Sequence, residues 1–368
     1  MKKKRVGILF GGKSAEHEVS LQSAVNVVEA IDKEKYEVVL IGIDKTGQWS
    51  LNDALLLEAD PSRLPAITKG DTGDSVTLVQ SGAGHQLVRI SDNQPLAPVD
   101  VIFPVLHGPF GEDGTVQGLL KLADVPFVGA SVLGSAVAMD KDVMKRLFRD
   151  AGIPTPRFLA FEKFRASEID FDEVVKHLGI PFFVKPANLG SSVGVSKVND
   201  SGDFAGAIKE GFQYDSKILI EAFIEGREIE CSVLGNEHPV ASVPGEIVPQ
   251  HEFYSYEAKY LDEHGALLKI PAELPEAVVR EVQDLAVRSF RVLCCEGMAR
   301  VDFFLRGEGE VLVNEINTIP GFTRISMYPK LWEASGISYT ELIDRLIRLA
   351  LERFEREQKL KTSYEPES

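Results

Sequence analysis

Two short apolar runs, residues 6–10 and 38–43, flank a segment whose apolar positions Val19, Ala24, Val27 and Ile31 recur at helical spacing. Strand, helix and strand in that order commit a chain to a parallel pair, because parallel strands need a long crossover. A third apolar run at 101–106 ends in the glycine-rich stretch 107–118. The N-terminal part therefore reads as a mostly parallel, Rossmann-like α/β domain. At 368 residues the chain is longer than one core supports, since domains usually hold roughly 100–200 residues. Changes of texture divide it at 1–134, 135–226 and 227–368. The stretch 44–98 is polar and carries no clear assignment.

Residues 7–14 read Gly-Ile-Leu-Phe-Gly-Gly-Lys-Ser and match the phosphate-binding pattern G-x-x-x-x-G-K-S. The context contradicts the match. Ile8, Leu9 and Phe10 are the body of the first strand, whereas a P-loop needs those positions in a loop around phosphates. A tight Gly11-Gly12 turn, setting Lys13 to Glu18 at the carboxyl end of the sheet, is the better reading.

The segment 299–317 carries the densest chemistry. A four-residue turn at 307–310 makes Arg306 and Val311 the first cross-strand pair. Counting outward sets Phe304 opposite Val313, Asp302 opposite Glu315 and Arg300 opposite Asn317, all on one face. Val301, Phe303, Leu305, Leu312 and Ile316 are left to a core face. Two carboxylates directly opposite repel one another, so Asp302 and Glu315 beside Asn317 call for a cation. Mg²⁺ suits such oxygen donors, completing its shell with phosphate and water. Phe304 and Val313 extend the face as an apolar floor suited to a purine, and Arg300 is placed to stabilise developing negative charge. The bland alternative is a solvated face with an Arg300/Asp302 pair.

Lys185 lies in the apolar strand 182–185, where an unpaired ammonium is costly to bury; a phosphate is its expected counter-charge. The loop 188–194 offers amides and hydroxyls to phosphates. Lys141, beside Asp140 at a helix start, is a second candidate. The strand 218–221 leaves through a hinge-like turn suited to an adenine edge, with Glu221 on the exocyclic amine and Glu228 on a ribose hydroxyl. Each would equally suit an ordinary strand end. The segment 252–265 mixes aromatic and charged residues and is expected to form a lid.

The formal charge of −16 excludes broad electrostatic capture of nucleic acid or anionic membrane. Cys231, Cys294 and Cys295 lack disulfide or zinc spacing. The apolar stretch after the basic start ends at Phe10, too short for a secretory signal. A cytoplasmic protein is expected.

Taken in order, the Lys185 strand, the loop 190–194, the hinge 221–224 and the run Arg300, Asp302, Glu315, Asn317 resemble the ATP-grasp enzymes, in which two α+β lobes hold ATP. Four further stretches, 10–20, 107–114, 256–260 and 314–323, resemble the D-alanine:D-alanine ligase family in particular. The likeness spans 6–351. It implies an N-terminal pre-ATP-grasp domain followed by a two-lobed ATP-grasp fold, and ATP-dependent joining of two D-alanine molecules through a D-alanyl phosphate for peptidoglycan. It implies that Lys141, Lys185, Glu221, Ala222, Phe223, Ile224, Glu228, Phe304 and Asn314 serve ATP. Asp302, Glu315 and Asn317 would bind two Mg²⁺ ions, with Mn²⁺ as a substitute. Glu16 would meet the ammonium of the first D-alanine, with His107 beside it. Arg300 and Gly321 would form the oxyanion hole, Ser326 and Lys259 would hold the second carboxylate, and Ser191 and Tyr260 would link the lid to the site. A homodimer is expected from the likeness alone. The alternatives are a D-alanine:D-lactate or other ATP-grasp ligase, and a non-catalytic nucleotide-binding regulator.

Overall fold

The computed structural model describes residues 2–52, 74–81, 84–249, 266–307 and 309–363. The first segment contains β1 (Lys4–Gly11), α1 (His17–Ala30), β2 (Tyr36–Ile43), β3 (Trp49–Asn52), the hairpin β4 (Val76–Ser81) and β5 (Gly84–Arg89), then β6 (Val101–Val105) and α2 (Thr115–Leu122). The sheet order is β3-β2-β1-β6, with β1 parallel to both β2 and β6 and β3 an antiparallel edge. Val19, Ala24, Val27 and Ile31 of the predicted helical stripe are all buried. Ile8, Leu9 and Phe10 lie wholly buried within β1, so the P-loop reading stays rejected. Gly11 turns the chain with φ +90°, where an added Cβ would meet the Ile43 carbonyl oxygen at 2.2 Å.

Two helices follow, α3 (Val132–Met139) and α4 (Lys141–Asp150), the second starting at Lys141 as expected. Asp140 divides them because its carboxylate accepts from the amides of Asp142 and Val143, each at 3.1 Å, and caps the second helix. The central sheet has the order β7-β10-β8-β9, formed by β7 (Phe158–Glu162), β8 (Phe182–Pro186), β9 (Ser196–Val198) and β10 (Lys217–Ala222). Its apolar face packs on α5 (Phe171–Leu178) and α6 (Ser201–Tyr214).

The third sheet runs β14-β13-β11-β15-β16, with β12 (Val240–Ala241) beside β11 (Arg227–Gly235). The remaining strands are β13 (Gly245–Pro249), β14 (Ala266–Lys269), β15 (Gly297–Arg306) and β16 (Glu310–Asn317). Burial along β11 is near-continuous. The helix α7 (Glu276–Val292) shares a core with Ile229, Cys231 and Val233, and α8 (Met327–Ala334) also packs against the strand. The last helix, α9 (Tyr339–Gln358), returns to the first sheet. Its Leu342, Ile343, Leu346 and Ile347 share one core with Val6, Ile8, Phe10 and Phe103. It continues to Gln358, and Arg356 near its end pairs with Glu296.

The predicted hairpin is present with one change of register. Asp302 faces Glu315 and Arg300 faces Asn317 as counted, but Arg306 faces Glu310, Phe304 faces Leu312 and Phe303 faces Val313. A bulge between Asp302 and Phe303 absorbs the difference and leaves Asn314 as the extra residue. The reason lies in β16 itself. Val311, Val313 and Ile316 all enter the core beneath α7, and strict alternation would send either the valines or the isoleucine to the other face. Val313 is therefore core, and Leu312, not Val313, stands opposite Phe304.

Candidate active site

The cleft is lined by Glu16, His107, Glu112, Gly190, Ser191, Glu228, Arg300, Asp302, Phe304, Asn314, Glu315, Asn317, Gly321 and Ser326, among others. Predicted groups of the first segment, the loop 188–194 and the third sheet thus meet in one place, whereas Lys141, Lys185, Glu221, Ala222, Phe223 and Ile224 are not part of this lining. At its hairpin wall Arg300 holds Asp302 through two bonds of 2.7 Å and lies 2.9 Å from Glu230. Asn317 donates to Asp302 at 3.2 Å, and Lys141 lies 3.4 Å from Glu315 while donating to the Leu189 carbonyl at 2.6 Å. Two carboxylates and an amide carbonyl are hard oxygen donors, so the set fits Mg²⁺. Among the described residues no group of three or more His, Cys, Asp and Glu side chains that could hold a metal occurs, so the set here relies on two carboxylates and Asn317.

At the opposite wall the loop between β8 and β9 crosses to the first segment. Ser191 has φ 52°, an uncommon conformation outside glycine, and Ser192 follows at φ 60°. From that position the Ser191 hydroxyl donates to the buried Glu16 carboxylate. Such backbone strain concentrates at functional sites. Gly108 is φ +75°, and a Cβ there would stand 2.6 Å from Glu16 Oε2. A Cβ on Gly321 would stand 2.7 Å from Ser326 Oγ, which itself accepts from the Thr323 amide at 3.0 Å.

His107 is buried, with Nδ1 3.0 Å from the Ile319 carbonyl and Nε2 3.2 Å from Ser23 Oγ. Burial pulls its pKa down to about 4, Arg300 adds to the shift, and the Ile319 carbonyl opposes it. The imidazole is therefore neutral near pH 7. A carbonyl can only accept, so the proton sits on Nδ1 and Nε2 accepts from the serine.

At Lys185 the protein itself supplies a counter-charge besides the phosphate expected there, since its ammonium binds Glu221 Oε1. Glu221 is opposite Phe183, two residues from Lys185 on the neighbouring strand, so both side chains share one sheet face. Glu221 was placed on an adenine amine; here it is 2 % exposed and lies between Lys185 and Lys145. Burial pushes its pKa up, and the two lysines more than offset this and hold it below the ordinary carboxylate range. Ala222 is buried, Phe223 is exposed beside Ile224, and Lys197 lies 5.0 Å from the Phe223 ring centre. Lys259, Tyr260 and the expected lid at 252–265 lie outside the described residues.

Three site residues escaped the sequence reading. Glu112 accepts from the Gly108 amide at 2.7 Å and the Ile319 amide at 3.2 Å, tying two site loops together. Burial, then the neighbouring Glu16, push its pKa up to about 8 against the opposing amides and Lys141. It lay inside the glycine-rich stretch 107–118 without a role. Lys145 was signalled only by standing four residues after Lys141, on the same helix face. Glu230 faces Asp302 across β11 and β15, a pairing that nothing in its own strand announces.

Comparison with known proteins adds independent findings. The family models described as D-ala D-ala ligase N-terminus and D-ala D-ala ligase C-terminus match residues 5–130 and 147–348. A D-alanine--D-alanine ligase of Shouchella clausii is 57% identical over 365 residues, covering 99% of both chains. The solved D-alanine-D-alanine ligase of Coxiella burnetii superposes with a TM-score of 0.86 at 41% identity, covering 98% of this chain and 97% of that one. A VanG D-Ala:D-Ser ligase from Enterococcus faecalis gives 0.82 at 35%, covering 95% and 100%.

Proposed function

The chain belongs to the D-alanine–D-alanine ligase family, and we propose on that footing that it joins two D-alanine molecules at the cost of one ATP, supplying a peptidoglycan precursor. The observation that carries the reading is the convergence in one cleft of an anionic pocket, Glu16 with Ser191, and an oxygen-donor wall, Asp302, Glu315 and Asn317.

Glu16 receives the ammonium of the first D-alanine and leaves its carboxylate pointing across the cleft. That carboxylate attacks the γ-phosphorus of ATP, ADP departs, and a D-alanyl phosphate results. Lys141 and Lys185 steady the phosphates, and Phe304 with Leu312 underlies the purine. Bound Mg²⁺ at Asp302, Glu315 and Asn317 would neutralise charge on the transferring group. Two ions and acceptance of Mn²⁺ belong to this proposal. The second D-alanine, held at its carboxylate by Ser326 and Lys259, attacks the acyl carbon through its uncharged amine. Arg300 and the Gly321 amide stabilise the tetrahedral oxyanion, phosphate leaves, and the amine proton is lost. Ser191 and Tyr260 tie the lid to the first substrate, keeping water from the acyl phosphate.

The proposed division is 1–134 for the substrate domain, then 135–226 and 227–368 for the two ATP-grasp lobes. Among the described residues no helix is long and apolar enough to cross a membrane; a cytoplasmic homodimer is the form proposed. A regulator would need no groups aimed at a transition state, which disfavours that alternative. The test supplies ATP, Mg²⁺ and D-alanine with equal D-lactate and D-serine at pH 7.5. D-alanyl-D-alanine should dominate the products. An unperturbed tyrosine titrates near ~10 and gives a hydroxyl acceptor no base, so a dominant ester peak would overturn the acceptor assignment, and absence of D-alanine-dependent phosphate release would overturn the whole.

A further inference from the structure

The helix α4 carries two lysines one turn apart on the side of the site. Lys141 reaches the Leu189 carbonyl and Glu315, at the wall that faces the substrates. Lys145 is a turn deeper, its side chain only 1% exposed, with Nζ 2.6 Å from Glu221 Oε2 and 3.0 Å from Thr155 Oγ1. Glu221 thus carries two cations of different kinds, one on each oxygen. Lys185 comes from β8 and its side chain is 14% exposed, so it can turn toward a ligand. Lys145 is enclosed, and the Thr155 hydroxyl accepts a second bond from its ammonium.

We infer that Lys145 is the positioning residue of the adenine site, keeping Glu221 anionic and aimed while Lys185 exchanges that carboxylate for a phosphate of the nucleotide. The inference rests on the ATP reading above. When Lys185 leaves, Oε1 is vacated for the amine at position 6 of the purine, and Oε2 stays paired with Lys145. A carboxylate this deeply buried that lost every cation would take up a proton. A protonated Glu221 would offer a donor as well as an acceptor, and an amine would no longer be told from a carbonyl. Lys145 thereby acts on nucleotide choice through Glu221 without touching the nucleotide. Lys185 and Glu315 are the other charges acting on Lys145, the first repelling it and the second attracting it.

The test uses the full chain with Mg²⁺, titrating ATP and inosine triphosphate, whose purine carries oxygen in place of the amine. Lys145→Met should raise the Kd and KM for ATP roughly ten- to a hundredfold, the size of losing one hydrogen bond to a charged group. Its kcat at saturating ATP should change little, and its preference for ATP over inosine triphosphate should collapse. Glu221→Gln should likewise weaken ATP binding and collapse the preference, and adding Lys145→Met to it should cost little more, since groups acting as a unit are not additive. The double variant removes both buried charges, so it should fold even if the single lysine variant does not. A further tenfold loss of ATP affinity in the double variant would overturn the inference, as would a Lys145→Met protein that melts earlier yet keeps its ATP preference. A wild-type protein that binds no ATP would instead remove the reading beneath it.

Discussion

The two charged ends of the cleft are assembled in different ways. At the hairpin, Arg300, Asp302, Glu315 and Asn317 lie on two adjacent strands joined by a short turn, and their mutual contacts follow from pairing alone. At the end proposed for adenine Lys145, Lys185 and Glu221 come from a helix and two strands of separate segments, and their pairing exists only in the folded chain. Both ends rest in their own ion pairs, Arg300 with Asp302 and Lys141 with Glu315 at the first, Glu221 between two lysines at the second. They differ in access, since the Glu315 side chain is 25% exposed and that of Glu221 only 2%.

The largest expected effect is at the hairpin. Glu315→Gln should lower D-alanine-dependent phosphate release about 10²–10³-fold, the usual cost of removing one group that stabilises transferring charge. Its melting temperature should stay within about 2–4 °C of wild type, the shift worth 1 kcal/mol in a chain of this kind. Unchanged turnover and Mg²⁺ dependence in that variant would erase the distinction between the two ends.

Stability sharpens the comparison next. Arg300→Met removes the guanidinium that pairs with both Asp302 and the buried Glu230, a loss of roughly 1–3 kcal/mol. Lys185→Met leaves Glu221 still paired with Lys145, so denaturant unfolding should change by under about 1 kcal/mol while ATP binding weakens. If the lysine variant proves the less stable of the two, the adenine end depends on Lys185 for its fold and the proposed exchange fails.

The smallest effect concerns Glu112, which joins the loops between the two ends. Its folded pKa of about 8 lies above the ordinary 4.5, so across that window the native state keeps a proton the unfolded chain has lost. Stability from this group is therefore full below pH 4.5 and declines as pH rises toward 8. His107 works in the opposite sense at lower pH, its folded value near 4 against 6.5 removing stability as pH falls between them. Glu112→Gln should flatten the decline above pH 6.5, where His107 no longer contributes. Parallel unfolding curves for variant and wild type from pH 6.5 to 8 would show that Glu112 is not held protonated.

The parallel first sheet, the rejection of a P-loop and the pairing of Asp302 with Glu315 were all legible in the chain, because each depends on periodicity or on neighbours along one or two strands. The family likeness extended that reading to residues far apart, such as Glu16 and Ser191, which the fold brings into contact. What the sequence by itself determined is which residue types stand on which face of each element. The tertiary structure decided which faces meet. It placed the Asn314 bulge, since only packing beneath α7 requires Val313 and Ile316 to point the same way. It also gave Lys185 a carboxylate where a phosphate had been expected, because a buried charge takes whatever partner the assembled fold sets within reach, and Glu221 becomes that partner only when β8 and β10 lie side by side.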